Sequence, residues 1–294
     1  MRALPIEVLK DIERDDDLVV GRKYDGFSEL FIVQDGIARL FNRSGREHTL
    51  NVPSLTARKL SVPDFKIQGE AVGPLPGINS VKSILGSKPE RAIKYQEEYG
   101  ALKLLVHNLV SYRGEDLARV PFGEKRRLLL ELVAALKLGN GLESVFVESL
   151  RTVGKYDFFQ EVVADGGEGV VVKKLSGFES DWFKCKRQRT WDVIITGFTE
   201  AKPGKFGGLI GAVRFGAFDD NGNLVEVGRC SGMVDEQRMA FTIAQESYIG
   251  KVMEVEGQEI SSHGRIRFPR FVRLREDKPP TECLLRDLQT DARY

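Results

Sequence analysis

Lys23 stands two residues before Asp25-Gly26, between the apolar runs Leu18-Val19-Val20 and Phe27 to Val33. A lysine fixed at the end of a strand beside a turn has a short reach, so its amine can be aimed. An amine becomes a covalent nucleophile where desolvation or neighbouring cations favour its neutral form over the ammonium, which ordinarily titrates at about 10.4. Alone, Lys-x-Asp-Gly is a weak signal, because Asp-Gly after a strand is also an ordinary hairpin turn. Weight comes from the order of polar residues that follow. Arg43 lies in a cation-rich turn, and Glu70 sits on the alternating run 65–72. Glu168 follows Gly166-Gly167 and precedes the buried run Val170-Val171-Val172-Lys173, and Lys184 and Lys186 share a later strand. Two carboxylates and several cations around one lysine suit phosphoryl or nucleotidyl transfer, where catalysis is mostly positioning and neutralisation of phosphate charge by cations and Mg²⁺. Singly, Glu70 and Glu168 read as ordinary strand-end acids.

The elements that must hold these residues follow from patterning. Residues 5–14 read as a short helix with proline in its first turn. The strand carrying Lys23 and the runs 27–33 and 37–42 read as an antiparallel meander, turned at Gln34-Asp35-Gly36. Residues 78–98 are mostly helical, broken near Gly86 and Pro89. The run 102–110 is an apolar strand carrying His107. Residues 122–138 make the strongest amphipathic helix, with Leu129, Leu132, Val133 and Leu136 on one stripe and Gly139 as a natural stop. A short strand at 145–147, a helix at 156–164 and strands at 170–173 and 182–186 complete an α+β domain of antiparallel sheets flanked by helices. Beyond Trp191 the texture changes to five short strands, glycine-rich turns and one helix at 235–245. That is the content of a Greek-key barrel of the oligonucleotide-binding type. The expected domains are 1–188 and 189–294, with a boundary at 187–190.

Length and composition agree. The 294 residues suffice for two cores, and 41% hydrophobic with 30% charged residues describe a globular chain. No apolar run has the length of a membrane span, and residues 1–7 lack the apolar core of a signal peptide. Three scattered cysteines offer neither a disulfide framework nor a zinc tetrad, so an intracellular location is expected. A net charge of +1 excludes whole-molecule attraction to nucleic acid. Local clusters at 184–189 and at 265–275 are interleaved with aromatic residues, a pattern suited to phosphate contacts.

Taken in order, Lys23-Tyr24-Asp25-Gly26, Asn42-Arg43-Ser44-Gly45, Gln68-Gly69-Glu70, Glu168-Gly169-Val170-Val171-Val172-Lys173 and Trp182-Phe183-Lys184-Cys185-Lys186 resemble the covalent nucleotidyltransferases, and within them the ATP-dependent DNA ligases. The segment 112–127 and the ending Arg267 to Lys278 resemble the same family, so the likeness covers almost the whole chain. It implies an adenylation domain followed by an OB-fold barrel. It also implies three steps: attack of Lys23 on the α-phosphate of ATP to give lysyl-AMP, transfer of AMP to the 5′-phosphate at a DNA nick, and attack of the 3′-hydroxyl.

In that resemblance Asp25 acts near the reacting 3′ end, and Arg43 meets the nick phosphate. Glu70 contacts the ribose and, with Glu168, holds Mg²⁺ or Mn²⁺. His107 and Val171 pack on the two faces of adenine, and Lys184 and Lys186 hold the α-phosphate. Arg275 and Lys278 swing in with the barrel to orient pyrophosphate, which implies a hinge at 187–190. The chain departs from the family pattern at Gly21, where an acid is common, and at Ser28, where an arginine is. The lysine strand starts close to the N-terminus, so a large helical DNA-binding domain is not expected, and a monomer is.

Two other readings share the framework. An RNA ligase or capping guanylyltransferase uses the same lysine and carboxylates, but the ending 267–278 favours a DNA ligase. A DNA-binding relative that has lost catalysis is disfavoured by the complete set Lys23, Glu70, Glu168, Lys184 and Lys186.

Overall fold

The structure, a computed structural model, describes residues 1–187, 189–257, 260–261 and 264–290. The chain divides into two units, Met1–Lys186 and Arg187–Tyr294. Position 188, inside the stretch expected to be a hinge, lies outside the described residues.

The first unit holds two sheets. One is ordered Arg2–Ala3, Phe183–Lys186, Gly169–Lys174, Leu18–Arg22, Leu150–Arg151, antiparallel except for its first pair. The period of two sorts its side chains between faces. Val20, Val170, Val172 and Cys185 are buried with Leu9, Phe159 and Val162, residues of the helices Val8–Asp11 and Lys155–Ala164. Val19 and Val171 face the other way, with Phe122 and Trp182. The strand Gly169–Lys174 is therefore covered on both faces, which is why it reads as an unbroken valine run.

The other sheet is ordered Ile37–Asn42, Phe27–Gln34, Phe65–Val72, Lys103–Tyr112, Glu115–Asp116, with Val145–Val147 paired in parallel to Lys103–Tyr112. Phe65, Ile67 and Ala71 enter the largest core, together with residues of the helices Ile78–Leu85, Pro89–Tyr99 and Phe122–Asn140. Glu70 alternates with them and so stands on the opposite face.

Three expectations are corrected. The meander does not include the lysine strand: Leu18–Arg22 belongs to one sheet and Phe27–Gln34 to the other. Asp25-Gly26 is thus no hairpin turn but a crossing between sheets. Gly26 permits it, since a Cβ there would come 2.3 Å from the Ala71 carbonyl oxygen. The helix beginning at Phe122 passes Gly139 and stops at Asn140, because Gly141, at φ 63°, supplies the left-handed cap. The N-terminal helix shrinks to Val8–Asp11.

The second unit is one five-stranded antiparallel sheet ordered Leu224–Cys230, Ile210–Phe218, Arg189–Glu200, Val252–Gly257, Arg270–Leu274. Its ends meet where Phe271 N–H donates to the Ser231 carbonyl at 2.9 Å, closing a barrel. Trp191, Phe215, Met253 and Phe271 fill the core together with Phe241 of the helix Asp235–Ile243.

Candidate active site

Cross-strand register sets the site. Lys184, Val171, Gly21 and Leu150 stand side by side across the first sheet. One pleat further along, Lys186 lies opposite Gly169, and Lys23 N–H donates to the Gly169 carbonyl at 2.8 Å. Residues level with each other share a face, so Lys23, Lys184 and Lys186 project on the Val171 side. Gly169, at φ 139°, tolerates no side chain: a Cβ would come 2.1 Å from the Cys185 carbonyl oxygen. That close approach seats Glu168 between two ammonium groups. Its Oε2 accepts from Lys23 Nζ and its Oε1 from Lys186 Nζ. All three side chains keep about a fifth of their surface exposed: 22% for Lys23 and Lys186, 18% for Glu168. Burial would raise the Glu168 carboxyl, but the hydrogen bonds from Lys186 and Lys23 outweigh it and leave it below its usual range.

Glu70 comes from the second sheet, opposite Ser28 and Leu105. Burial raises its carboxyl to about 7, against the pull of the Lys23 charge and the Gly26 backbone N–H, while Asp25 and Glu168 push the same way as burial. The neighbouring Glu29 is fully buried on the core side, its carboxylate 3.1 Å from His48 Nδ1, and burial followed by the Glu70 charge lifts it to about 8. Sequence reading missed this pair. An acid on an otherwise apolar-facing register was its signal.

Between the sheets of this unit a pocket is lined by Lys23, Tyr24, Glu70, Leu105, His107, Glu148, Val171, Lys173 and Trp182. His107 enters it through a β-bulge. Gln68 pairs with Asn108 and Gly69 with Val106, leaving His107 as the extra residue. Its ring lies 5.9 Å from Trp182, edge-on at 71°. Burial first, then the Lys173 charge, push the imidazole down to about 3, so it is neutral at physiological pH.

Lys173 and Glu148 form the sealed part of the wall. Lys173 Nζ donates to Glu148 Oε1, with side chains 2% and 5% exposed. The ammonium lies 4.2 Å from the Trp182 ring centroid and 5.2 Å from that of Phe122, a cation–π contact with each. Arg126 Nη2 donates to the Glu148 carbonyl at 3.0 Å. Burial raises the Glu148 carboxyl and lowers the Lys173 ammonium, and each group opposes the shift of the other.

The other expected residues sit in local settings of their own. Arg43 is exposed on a turn that Asn42 Oδ1 organises by accepting from Ser44 and Arg46 N–H at 3.0 and 2.8 Å. Arg275 and Lys278 belong to the second unit. There Arg275 Nη1 reaches both Asp192 oxygens at 2.9 and 3.0 Å, its Nε and Nη2 each meet Asp277 at 2.8 Å, and Lys278 Nζ meets Asp192 at 2.9 Å. Among the described residues no cluster of three or more His, Cys, Asp or Glu makes a ready-built metal cage. Two carboxylates beside a phosphate site are nonetheless what Mg²⁺ uses, since it keeps waters and takes phosphate oxygens. Glu70 and Glu168 fit that requirement.

The family description "ATP dependent DNA ligase domain" matches residues 3–192, and "DNA ligase OB-like domain" matches 203–275. A DNA ligase of Thermococcus onnurineus is 30% identical over 298 residues, 89% of this chain and 52% of that protein. One of Methanocorpusculum labreanum is 24% identical over 304 residues, 92% and 54% respectively. The chain thus spans about half the length of these curated relatives. In fold it is similar to a solved Lig E DNA ligase, from a structure-function study of DNA binding with a minimal scaffold. That likeness has a TM-score of 0.68 at 18% identity, covering 94% of this chain and 98% of that one.

Proposed function

This chain belongs to the ATP-dependent DNA ligase family, and from that premise we propose that it seals nicks in duplex DNA through AMP carried on Lys23. The observation that carries the reading is the shared carboxylate: Glu168 fixes Lys23 Nζ, which lines a pocket with an apolar wall, together with Lys186 Nζ. An amine, a second cation and an anion-binding face in one place are the parts an in-line attack on a phosphate needs.

In the first step Lys23 Nζ attacks the α-phosphorus of ATP. An N–P bond forms, the P–O bond to pyrophosphate breaks, and Nζ gives up a proton. Lys184 and Lys186 balance the charge on the α-phosphate, Glu70 meets the ribose, and Val171 and His107 pack against the base. Arg275 and Lys278 take the pyrophosphate end. Mg²⁺ held by Glu70 and Glu168 would neutralise phosphate charge. In the second step the 5′-phosphate of the nick, held by Arg43, takes the AMP and frees the lysine. In the third the 3′-hydroxyl, beside Asp25, attacks that activated phosphate and releases AMP. The protein acts as a monomer inside the cell, where three free buried cysteines stay reduced.

Incubation with α-labelled ATP and Mg²⁺ is expected to leave an acid-labile label on the wild-type protein and none on Lys23→Ala. A label that survives the substitution overturns the assignment. Sealing of nicked DNA but not of nicked RNA is expected next.

A further inference from the structure

The transfer steps leave Glu29 and His48 without a task. Both are buried, at 1% and 3% exposure. Phe31 and Val33, which follow Glu29 at alternate positions of the same strand, belong to the largest apolar core. A buried polar pair is a weak source of stability there, because an apolar pair of similar volume does as well or better. What distinguishes this pair is its place. It joins the strand Phe27–Gln34 to the turn that carries Arg43.

Resting on the reading of Arg43 as the residue that meets the 5′-phosphate of the nick, we propose that Glu29 and His48 are positioning residues for Arg43. They hold the turn 42–47 to the sheet so that its guanidinium is presented to that phosphate. Three observations converge. First, the tip of the turn is ordered from within, where Asn42 Oδ1 accepts from the Ser44 hydroxyl at 2.9 Å besides two backbone N–H groups. Second, its returning limb has little pairing of its own. Glu47 makes a single bridge to Phe41, His48 N–H donates to the Leu40 carbonyl at 2.7 Å, and the chain leaves into the helical turn Thr49–Asn51. Third, the His48 side chain supplies the missing anchor. Its Nδ1 lies 3.2 and 3.1 Å from the two Glu29 oxygens. Glu29 itself stands opposite Asn42, where the turn begins. Both limbs are therefore tied to one residue of one strand, and Arg43 and Arg46 stand exposed beyond it. That strand also pairs with the strand of Glu70, Ser28 lying opposite Glu70. The anchor thus sets the turn relative to the carboxylate side of the site. A long side chain can be aimed only from a backbone that is held, and a small misplacement is costly.

The test separates two steps on the full chain. Formation of lysyl-AMP from labelled ATP is measured first. The lysyl-AMP protein is then mixed with nicked duplex DNA bearing a 5′-phosphate, and single-turnover transfer of AMP is followed against DNA concentration. The variants are Glu29→Leu/His48→Leu, which keeps the core filled, Arg43→Ala, and the triple variant. The leucine pair is expected to form lysyl-AMP within about twofold of wild type but to need at least about tenfold more DNA for half-maximal transfer. Arg43→Ala is expected to weaken the same step, and the triple variant to be no worse than Arg43→Ala, because residues that act through one another do not add. Glu29→Gln, which can still hydrogen-bond the imidazole, is expected to stay close to wild type. Equal losses in both steps, losses that multiply in the triple variant, or unchanged transfer by the leucine pair each overturn the proposal. If the leucine pair does not fold, His48→Gln and Glu29→Gln carry the same comparison. Unchanged transfer by Arg43→Ala would overturn the Arg43 assignment and this proposal with it. Failure of wild type to form lysyl-AMP would instead overturn the ligase reading itself.

Discussion

Two groupings of charge meet one pocket, one through Lys23 alone and the other through both its members, and they differ in how they are closed. Glu148 and Lys173 form a one-to-one pair inside the wall, 5% and 2% exposed. Glu168 is shared by Lys23 and Lys186, and all three stay about a fifth exposed. The sealed pair is neutral as a whole. The open group carries one cation more than its anion can neutralise. Burial separates the two, although both use lysine and glutamate.

The contrast can be broken at four points. Lys23→Ala is expected to lower labelling by at least about 10³-fold while barely changing the melting temperature, as loss of a nucleophile does. A matching loss of folding would make the lysine structural. Lys173→Met strands a buried carboxylate and is expected to cost about 3–5 kcal/mol in a urea titration; a change near zero would mean that the pair is not sealed. Lys186→Met removes one of two cations in the open group, with an expected loss of about 10²-fold in labelling rate but under about 1 kcal/mol in stability. The smallest effect concerns pH. The folded pKa of Glu70, about 7, lies above its unfolded value of 4.5, so the folded state holds this proton more firmly. Its contribution to stability is complete below about pH 4.5 and is lost as pH rises through 7. Measured against Glu70→Gln, wild type should therefore lose stability between pH 5 and 7 and run parallel above pH 8. A difference of the opposite slope would refute the buried, protonated carboxyl.

Much of this was legible because it is periodic or ordered along the chain. The valine run 170–172, the alternation over 65–72 and the stripe Leu129, Leu132, Val133, Leu136 each predict an element that forms. Lys23, Glu168 and Lys186 were found together because their spacing places all three at strand ends. Other features depend on pairing partners that one strand does not contain. The bulge that aims His107 exists only because Gln68 and Gly69 skip it. The crossing at Asp25-Gly26 resembled a hairpin because the local residues are the same, and only the close fit of Gly26 on Ala71 shows where the chain goes. Glu148 was missed by one residue: it follows the short strand Val145–Val147, and nothing local marks its partner on a strand 25 positions away.

Cys185 sits between Lys184 and Lys186, where a sulfur among cations would ordinarily be reactive. The pleat turns it to the opposite face, against Leu9 and Phe159, and burial pushes the thiol up to about 11. Cys230 and Cys283, in the second unit, are likewise buried and raised to about 12 and 11, again through burial first. The folded protein should therefore ignore alkylating reagents, and each thiol becomes a clock that starts when its surroundings open. Modification of Cys185 times the opening of the sheet that carries the lysines, and modification of Cys230 or Cys283 times the barrel. The two units can thus be followed separately in one unmodified chain, without an introduced probe.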